Sequence, residues 1–270
     1  AYVLENSSHP VSQIDLNMAV VDWLLQPQTV GLWIEQAKDI LNRFKGREIQ
    51  GQEVVKYARA ASLAVRGEAL QAALPGALQI IRTKDALTDP TQMAYADRVI
   101  AEALEAASIA HPPERINLTE PVWLYSASSP AELRAGVEDQ KNLIYSIYDQ
   151  MLSAGDFTAD VVGISIIYHG QVLPALCFAA WLKRRRPDVR IIAGGPFFTV
   201  HRDRLAAEPW LFDWLDAICV FEGEKALVGY LDCVDGATKL ALVPGLIWRQ
   251  YGMVLNSGTP EPVDMANLPC

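Results

Sequence analysis

Three short apolar runs alternate with helical stretches between residues 160 and 231, and this alternation constrains the fold more than any other feature. The runs are Val161–Ile167, Val189–Ala193 and Leu215–Val220. Their spacing is that of βαβ crossovers, and the first run is continuously apolar, as expected of a central parallel strand covered on both faces. The sequence therefore predicts an α/β fold built on a doubly wound parallel sheet.

The beginning of the chain continues the same pattern. Ala1–Asn6 is typical of the last part of a helix, and the alternating apolar positions of Val11–Asp15 favour a strand. A helix, a turn and a strand form the second half of a βαβ unit. We therefore expect that the first strand of the sheet precedes Ala1 and is missing from this chain.

A long helical region separates this beginning from the three apolar runs. Apolar residues recur there at helical spacing, and such stripes predict core-facing sides of helices. One stripe comprises Val54, Val55, Ala58, Ala61, Ser62 and Val65, and another comprises Ala94, Val99, Ala103, Leu104 and Ala107. We interpret the region as an insertion into the α/β domain.

The last part of the chain predicts a hairpin, with strands at Leu246–Gln250 and Met253–Leu255 and a turn at Tyr251-Gly252. The predicted organisation then has four parts. They are the start of the α/β domain (1–26), the helical insertion (27–155), the remainder of the α/β domain (156–235), and a hairpin and linker (236–270).

Composition and charge exclude several classes of partner. The net charge of −9 argues against nucleic acid, whose phosphates would be repelled. No apolar run approaches the roughly 20 residues needed to cross a bilayer, and no signal peptide is visible. The cysteines are spaced neither as a zinc site nor as a redox pair, which favours reduced thiols in a cytoplasmic protein. They are Cys177, Cys219, Cys233 and Cys270.

The residues just past each predicted strand are the best candidates for a binding site, because ligands of open parallel sheets lie outside the carboxyl ends of the strands. Ser165 and the loop Tyr168–Gln171 mark the first strand end. Gly194–Thr199 follows the second strand, and Glu222–Glu224 follows the third. We therefore predict a ligand at this edge.

The glycine pair Gly194-Gly195 has two interpretations. Glycine lets the backbone approach a flat or bulky ligand, since no Cβ intervenes, but the pair also suits a tight turn that needs positive φ. The sequence has neither the Gly-x-Gly-x-x-Gly fingerprint of dinucleotide sites nor a Walker-type lysine loop, which argues against a classical NAD or ATP site.

These segments resemble the cobalamin-binding domain of the cobalamin-dependent radical S-adenosylmethionine enzymes. The similarity rests on Val-Val-Gly-Ile-Ser-Ile-Ile (161–167), Arg-Ile-Ile-Ala-Gly-Gly-Pro (190–196) and Val-Phe-Glu-Gly-Glu (220–224). Residues 1–6 and 13–17 are similar to that family's first helix, second strand and Asp-Leu-Asn turn. Residues 267–270 resemble the segment that leads into the radical domain. The resemblance implies a Rossmann-like sheet of the cobalamin-binding type, with a large helical insertion and cobalamin as cofactor.

The resemblance also implies which residues hold the cofactor. Ser165 and Ile167 fall where the family's third strand runs along the nucleotide tail of cobalamin, and the glycine pair falls where that tail passes close to the backbone. The implied cofactor-binding residues are Asn17, Ser165, Ile167, Tyr168, His169, Gly194, Gly195, Pro196, Phe197, Glu222, Gly223 and Glu224.

Several of these residues have a second interpretation. His169 could ligate cobalt or contact the corrin, since imidazole is a common metal ligand, or it could hydrogen-bond within its own loop. Tyr168, Phe197 and Phe198 could pack against the corrin or lie in the protein core. No metal ligand is assigned from the sequence beyond this role for His169.

Two motifs of related enzymes are absent. Asp-x-His-x-x-Gly, whose histidine ligates cobalt from below, does not occur, although this enzyme class often lacks that histidine. Cys-x-x-x-Cys-x-x-Cys, which ligates the 4Fe-4S cluster, does not occur either. We therefore expect the cluster and S-adenosylmethionine to bind only in a missing radical S-adenosylmethionine domain of the same protein, which would be the partner of this chain.

The resemblance implies a methyltransferase acting on an unactivated carbon or phosphorus, with this chain alone being non-catalytic. Two other functions stay open from the sequence. One is a non-catalytic corrinoid carrier or sensor module whose helical region docks a partner. The other is an α/β enzyme that binds another nucleotide.

Overall fold

The computed structural model describes residues 2–84 and 88–262 and divides the chain into two compact units. The first unit comprises the described residues of Ala1–Gln13, Tyr125–Gln140 and Tyr148–Cys270. The second comprises those of Ile14–Leu124 and Lys141–Ile147. The predicted segment 267–270 that would lead into a radical domain lies outside the described residues.

Ten α-helices occur in the described residues. In chain order they are α1 (Tyr2–Asn6), α2 (Leu16–Leu24), α3 (Pro27–Phe44), α4 (Gln52–Ile81), α5 (Pro90–Ala107), α6 (Pro130–Glu138), α7 (Leu143–Met151), α8 (Val172–Arg185), α9 (Pro196–His201) and α10 (Glu224–Val234).

The first unit is built on a five-stranded sheet whose strands follow each other in chain order. The pairs β1–β2 and β2–β3 are parallel, whereas β3–β4 and β4–β5 are antiparallel. With helices in each parallel crossover, this arrangement confirms the predicted Rossmann-like α/β fold. The strands are β1 (Val161–Ser165), β2 (Arg190–Gly194), β3 (Ala217–Cys219), β4 (Leu246–Gln250) and β5 (Met253–Asn256).

Both faces of β2 and β3 are covered. Ile192, Ala217 and Cys219 pack with Ala226 and Tyr230 of α10 on one face. Successive side chains of a strand point to opposite faces, so the neighbouring residues occupy the other face. Those neighbours, Ile191, Ala193 and Ile218, are also buried.

β1 differs from the central strand that its apolar run predicts. It lies at an edge of the sheet, and no strand of the described residues pairs with its other side. Gly163 and Ser165 are exposed as a consequence. An apolar run shows that side chains prefer burial, but it does not show on which side a strand finds partners.

The predicted hairpin is confirmed. β4 pairs with β5 from Ile247 opposite Asn256 to Gln250 opposite Met253. The two turn residues, Tyr251 and Gly252, have positive φ values of 52° and 79°. This is the backbone that two-residue hairpin turns use, because it matches the twist of the flanking strands.

The strand predicted at Val11–Asp15 is wrong. Residues 10–15 form no strand, and Val11 and Ile14 are exposed. Asp15 instead begins α2, since its side chain accepts a hydrogen bond from the Met18 amide at 3.0 Å as an N-cap. Alternating apolar residues favour a strand only where another strand satisfies the backbone.

The second unit is helical, with α3, α4 and α5 packed against one another. The stripe predicted on α4 is on the wrong face, since Val54, Val55 and Val65 are exposed. On α5 the prediction holds at Val99 and three of its companions, whereas Ala94 is exposed. The buried residues of α4 are Ala60, Leu63, Gly67, Leu70, Leu74 and Ala77. None of the helices in the described residues is long and apolar enough to span a membrane.

Candidate functional site

The carboxyl ends of the three parallel strands lie side by side. Ser165 is in register with Gly194, and Ala193 is in register with Ile218, so that Gly194 stands next to Cys219. We call the strand ends and their loops the rim, which comprises residues 165–171, 194–199 and 219–224. The structure brings together there Ser165, Ile167, Tyr168, His169, Gly194, Gly195, Pro196, Phe197, Glu222, Gly223 and Glu224.

The loop after β1 is fixed by its own glutamine and presents apolar side chains. The amides of Ile167 and Tyr168 each donate to Gln171 Oε1 at 3.0 Å. The side chains of Ile167 and Tyr168 stay 56% and 69% exposed. The Ser165 hydroxyl is exposed and makes no hydrogen bond within the described chain. The loop therefore offers apolar surface next to a free hydroxyl.

His169 is anchored by a residue outside its own loop. Its Nε2 lies 3.3 Å from Ser128 Oγ, just before α6. The imidazole also meets the Phe197 ring edge-on, with 6.1 Å between the ring centroids. Phe198 is buried, whereas Phe197 is partly exposed. Of the two phenylalanines, only Phe197 is therefore placed to touch a ligand.

In the Gly194-Gly195 pair, the second glycine is required by the packing of the protein itself. Gly195 has a φ of +108°, and a Cβ there would lie 2.3 Å from the carbonyl oxygen of Ile166. At Gly194 a Cβ would lie 3.4 Å from Cys219, which is an ordinary contact. Gly195 thus lets β2 end against the backbone that follows β1, and no ligand is needed to explain it.

The turn after β3 contains two unusual groups. Phe221 has a positive φ of 66°, although it is not a glycine. Glu224, the first residue of α10, has a buried Oε2 atom that makes no hydrogen bond within the described residues. Buried carboxylate oxygens are normally paired, so this oxygen lacks the hydrogen-bond donor that such groups usually have. Glu222, two residues earlier, is exposed.

Cys219 lies beneath this turn. Burial, with a smaller contribution from the Glu224 carboxylate, raises the pKa of the Cys219 thiol from 9.0 to about 11. Such a thiol carries its proton at neutral pH and is a poor nucleophile or metal ligand. We therefore assign Cys219 to packing.

The basis for predicting Asn17 at the rim does not hold in the structure. It lies in the first turn of α2, in the second compact unit, with an exposed side chain. The strand that was predicted to end there does not exist. Its role in binding stays a prediction.

Sequence reasoning assigned no role to two residues of the rim, Thr199 and Phe221, or to Arg202, which follows α9. The Thr199 hydroxyl accepts a hydrogen bond from the Phe221 amide at 2.8 Å. The Arg202 guanidinium lies over the Phe221 ring, 5.1 Å from the ring centroid. Nothing in the local sequence signals a left-handed backbone at a phenylalanine. The contacts become visible only when α9 and the turn after β3 are placed together.

A groove of about 770 Å³ lies elsewhere in the first unit. It includes Arg249 of β4, beyond the amino end of β3, and Ser129, which follows the Ser128 that contacts His169. Its two arginines are already paired, Arg249 with Asp213 at 2.7 Å and Arg134 with Glu138 at 2.7 Å. Glu208, also in the lining, accepts a hydrogen bond from Trp210 Nε1 at 2.8 Å. With these side chains already engaged, we favour the rim as the binding site.

A comparison with known protein families gives a match that covers the rim. Residues 140–231 match the family model of the B12 binding domain. The matched segment runs from just before α7 into α10 and contains β1, β2, β3 and the whole rim. The match supports cobalamin binding by this part of the chain. No curated protein and no solved structure matches the chain.

The residues of the rim fit cobalamin. The cofactor carries amide and hydroxyl donors around a flat corrin and on a nucleotide tail. The rim offers the exposed Ser165 hydroxyl, the unpaired Glu224 oxygen and the apolar surface of Ile167 and Tyr168. No group of three or more histidine, cysteine or acidic residues in the described chain could hold a metal ion by itself.

Proposed function

We propose that this chain is the cobalamin-binding region of a radical S-adenosylmethionine enzyme, with the cofactor lying across the rim. The observation that carries the proposal is the B12 binding domain match, which coincides with the three parallel strands and their loops. The rim supports it with the polar groups of Ser165 at the end of β1 and of Glu224 after β3. When bound, cobalamin would supply a cobalt centre able to carry a methyl group to an unactivated carbon or phosphorus.

The residues of the chain would bind and orient the cofactor. The Ser165 hydroxyl and the Glu224 carboxylate would hydrogen-bond polar groups of the tail. Ile167 would pack along the tail. Tyr168 and Phe197 would exclude water from the corrin edge, and His169 would stand near it. Gly194, Pro196, Glu222 and Gly223 would complete the contact surface, while Gly195 holds the two strand ends together.

The iron–sulfur cluster and S-adenosylmethionine belong, in this proposal, to a further domain of the same protein. The sequence contains no Cys-x-x-x-Cys-x-x-Cys motif. We place the protein in the cytoplasm because its described cysteines, Cys177, Cys219 and Cys233, are free thiols. Equilibrium dialysis of this chain with S-adenosylmethionine should show no binding, and saturable binding would contradict this division of labour.

Binding of hydroxocobalamin to the purified chain tests the proposal directly. After desalting, the wild-type chain should retain corrin absorbance at about one equivalent. Ser165→Trp should abolish retention, because the added bulk projects from an exposed position into the rim. Gly195 variants are unsuitable, since they would disturb the Ile166 backbone.

Met253→Trp is the matched control. Met253 is 61% exposed on β5, at the far edge of the same sheet, so the variant should bind as the wild type does. Failure of the wild-type chain to retain the corrin, or equal retention by Ser165→Trp, would contradict the proposed site.

A further inference from the structure

Phe221 carries a conformation that its residue type disfavours. Its φ of 66° lies in the left-handed region, which bulky side chains rarely adopt. Only one other non-glycine residue of the described chain has positive φ, namely Tyr251 with 52°. Tyr251 stands in a two-residue hairpin turn, which requires that backbone, and its ring is 91% exposed. Phe221 instead follows the parallel strand β3, where no hairpin turn requires positive φ.

The neighbouring helix holds Phe221 in place. The Thr199 hydroxyl accepts a hydrogen bond from the Phe221 amide at 2.8 Å. It donates one to the Gly195 carbonyl oxygen at 3.4 Å. Arg202 donates to the Thr199 carbonyl oxygen at 2.9 Å. These hydrogen bonds involve only the backbone of residue 221. A glycine would make them equally well and without strain.

The contacts of the phenyl ring are therefore the ones that a glycine at this position would lose. The Arg202 guanidinium lies over the ring, 5.1 Å from its centroid, which fixes the orientation of the ring through a cation–π contact. The side chain is partly exposed and lies between the buried Val220 and the exposed Glu222, on the rim. Strained residues that their surroundings over-determine cluster at ligand clamps.

We propose that Phe221 is a specificity-determining residue of the rim, whose ring stacks against a flat heteroaromatic group of the bound ligand. The inference rests on the proposed function. In cobalamin the matching group is the heteroaromatic base of the nucleotide tail. Arg202 is the positioning residue that holds the ring from the other side.

Two ligands separate this role from a structural one. Hydroxocobalamin carries the nucleotide base, whereas cobinamide is the corrin without its nucleotide tail. Stacking of an aromatic side chain on a base is worth about 1–3 kcal/mol, so Phe221→Gly should weaken hydroxocobalamin binding by about 5-fold or more. The affinity for cobinamide should stay within about 2-fold of the wild type. Phe221→Trp, which keeps a flat ring, should retain hydroxocobalamin affinity.

Tyr251→Gly is the matched control, because it makes the same change from an aromatic residue to glycine at positive φ, away from the rim. It should leave both affinities unchanged. Thermal unfolding of each apo variant reports whether it is folded. If Phe221→Gly fails to fold, Phe221→Leu, which keeps the apolar bulk and loses the flat ring, takes its place.

The outcomes distinguish the two proposals. If the wild-type chain binds hydroxocobalamin and Phe221→Gly binds it equally well, the stacking role is overturned and the cofactor site stands. Equal losses of hydroxocobalamin and cobinamide affinity would also overturn it, because the ring would then act only on the fold. If the wild-type chain binds neither ligand, the proposed function falls and this inference falls with it.

Discussion

At the scale of the residue, Gly195 and Gly223 make a matched pair at the rim. Gly195→Ala would place a Cβ 2.3 Å from the Ile166 carbonyl oxygen at a φ of +108°, and we expect a loss of about 3 kcal/mol or more in the free energy of unfolding. Gly223 has a φ of −87° and space for a Cβ, so Gly223→Ala should cost about 1 kcal/mol or less. Urea denaturation measures both, and equal costs would show that the close approach is relieved elsewhere.

Cys219 predicts a specific dependence of stability on pH. Its pKa is raised from 9.0 to about 11, so the folded chain keeps a proton that the unfolded chain loses as the pH rises above about 9. The free energy of unfolding should therefore fall between about pH 9 and 11, by about 2–3 kcal/mol in total from this thiol. Cys219→Ala lacks this contribution. The stability difference between the two proteins, measured by urea denaturation from pH 8 to 11, should change by that amount, and a constant difference would contradict the raised pKa.

At the scale of the element, the sequence predicted the parts whose signal is local. The apolar runs marked β1, β2 and β3 to within a few residues, and Tyr251-Gly252 marked the hairpin turn. The strand at Val11–Asp15 was wrong because its formation depends on a partner strand far along the chain. The core face of α4 was assigned wrongly because its buried residues include Ala60, Leu63 and Gly67 but not its exposed valines. The partner of a strand and the buried face of a helix depend on how the elements pack, which a local sequence pattern does not show.

At the binding site, too, the sequence predicted the features that have a local signal and missed those that depend on packing. The strand-end rule brought Ser165, Gly194 and Glu222 to one edge from sequence alone, and the structure places them there. The rule could not say whether each residue stands there for a ligand or for the packing of the protein. Gly195 was associated with a ligand, yet the Ile166 backbone explains it, whereas Phe221 passed unnoticed because φ is not encoded in one residue type.

Arg249 of β4 hydrogen-bonds the short helical segment Pro209–Asp213 at three points. Arg249 donates to the carbonyl oxygens of Pro209 and Phe212 at 3.1 and 3.0 Å and to Asp213 Oδ1 at 2.7 Å. Arg249→Gln should lower the free energy of unfolding by about 1.5–2 kcal/mol, because two carbonyl groups lose their donor. Arg134→Gln removes an exposed pair within α6 and should leave the urea midpoint unchanged. Similar midpoints for the two variants would show that Arg249 does not hold this segment.

At the scale of the whole molecule, the two compact units give the binding site a test that needs no mutation. The B12 binding domain match spans residues 140–231, and all of the rim belongs to the first unit. A ligand at the rim restricts the opening of the backbone that it covers, so hydroxocobalamin should slow amide hydrogen exchange there. We expect the protection in peptides that cover residues 165–171, 194–199 and 219–224.

Peptides from α4 (Gln52–Ile81) and α5 (Pro90–Ala107) of the second unit should exchange at the same rate with and without the cofactor. These helices serve as internal controls, because each sample reports on them together with the rim. Protection of the first turn of α2 would return Asn17 to the binding site. Protection confined to the helices of the second unit would move the cofactor away from the strand ends and would contradict the site proposed from the carboxyl-end rule, the family match and the unpaired groups of the rim.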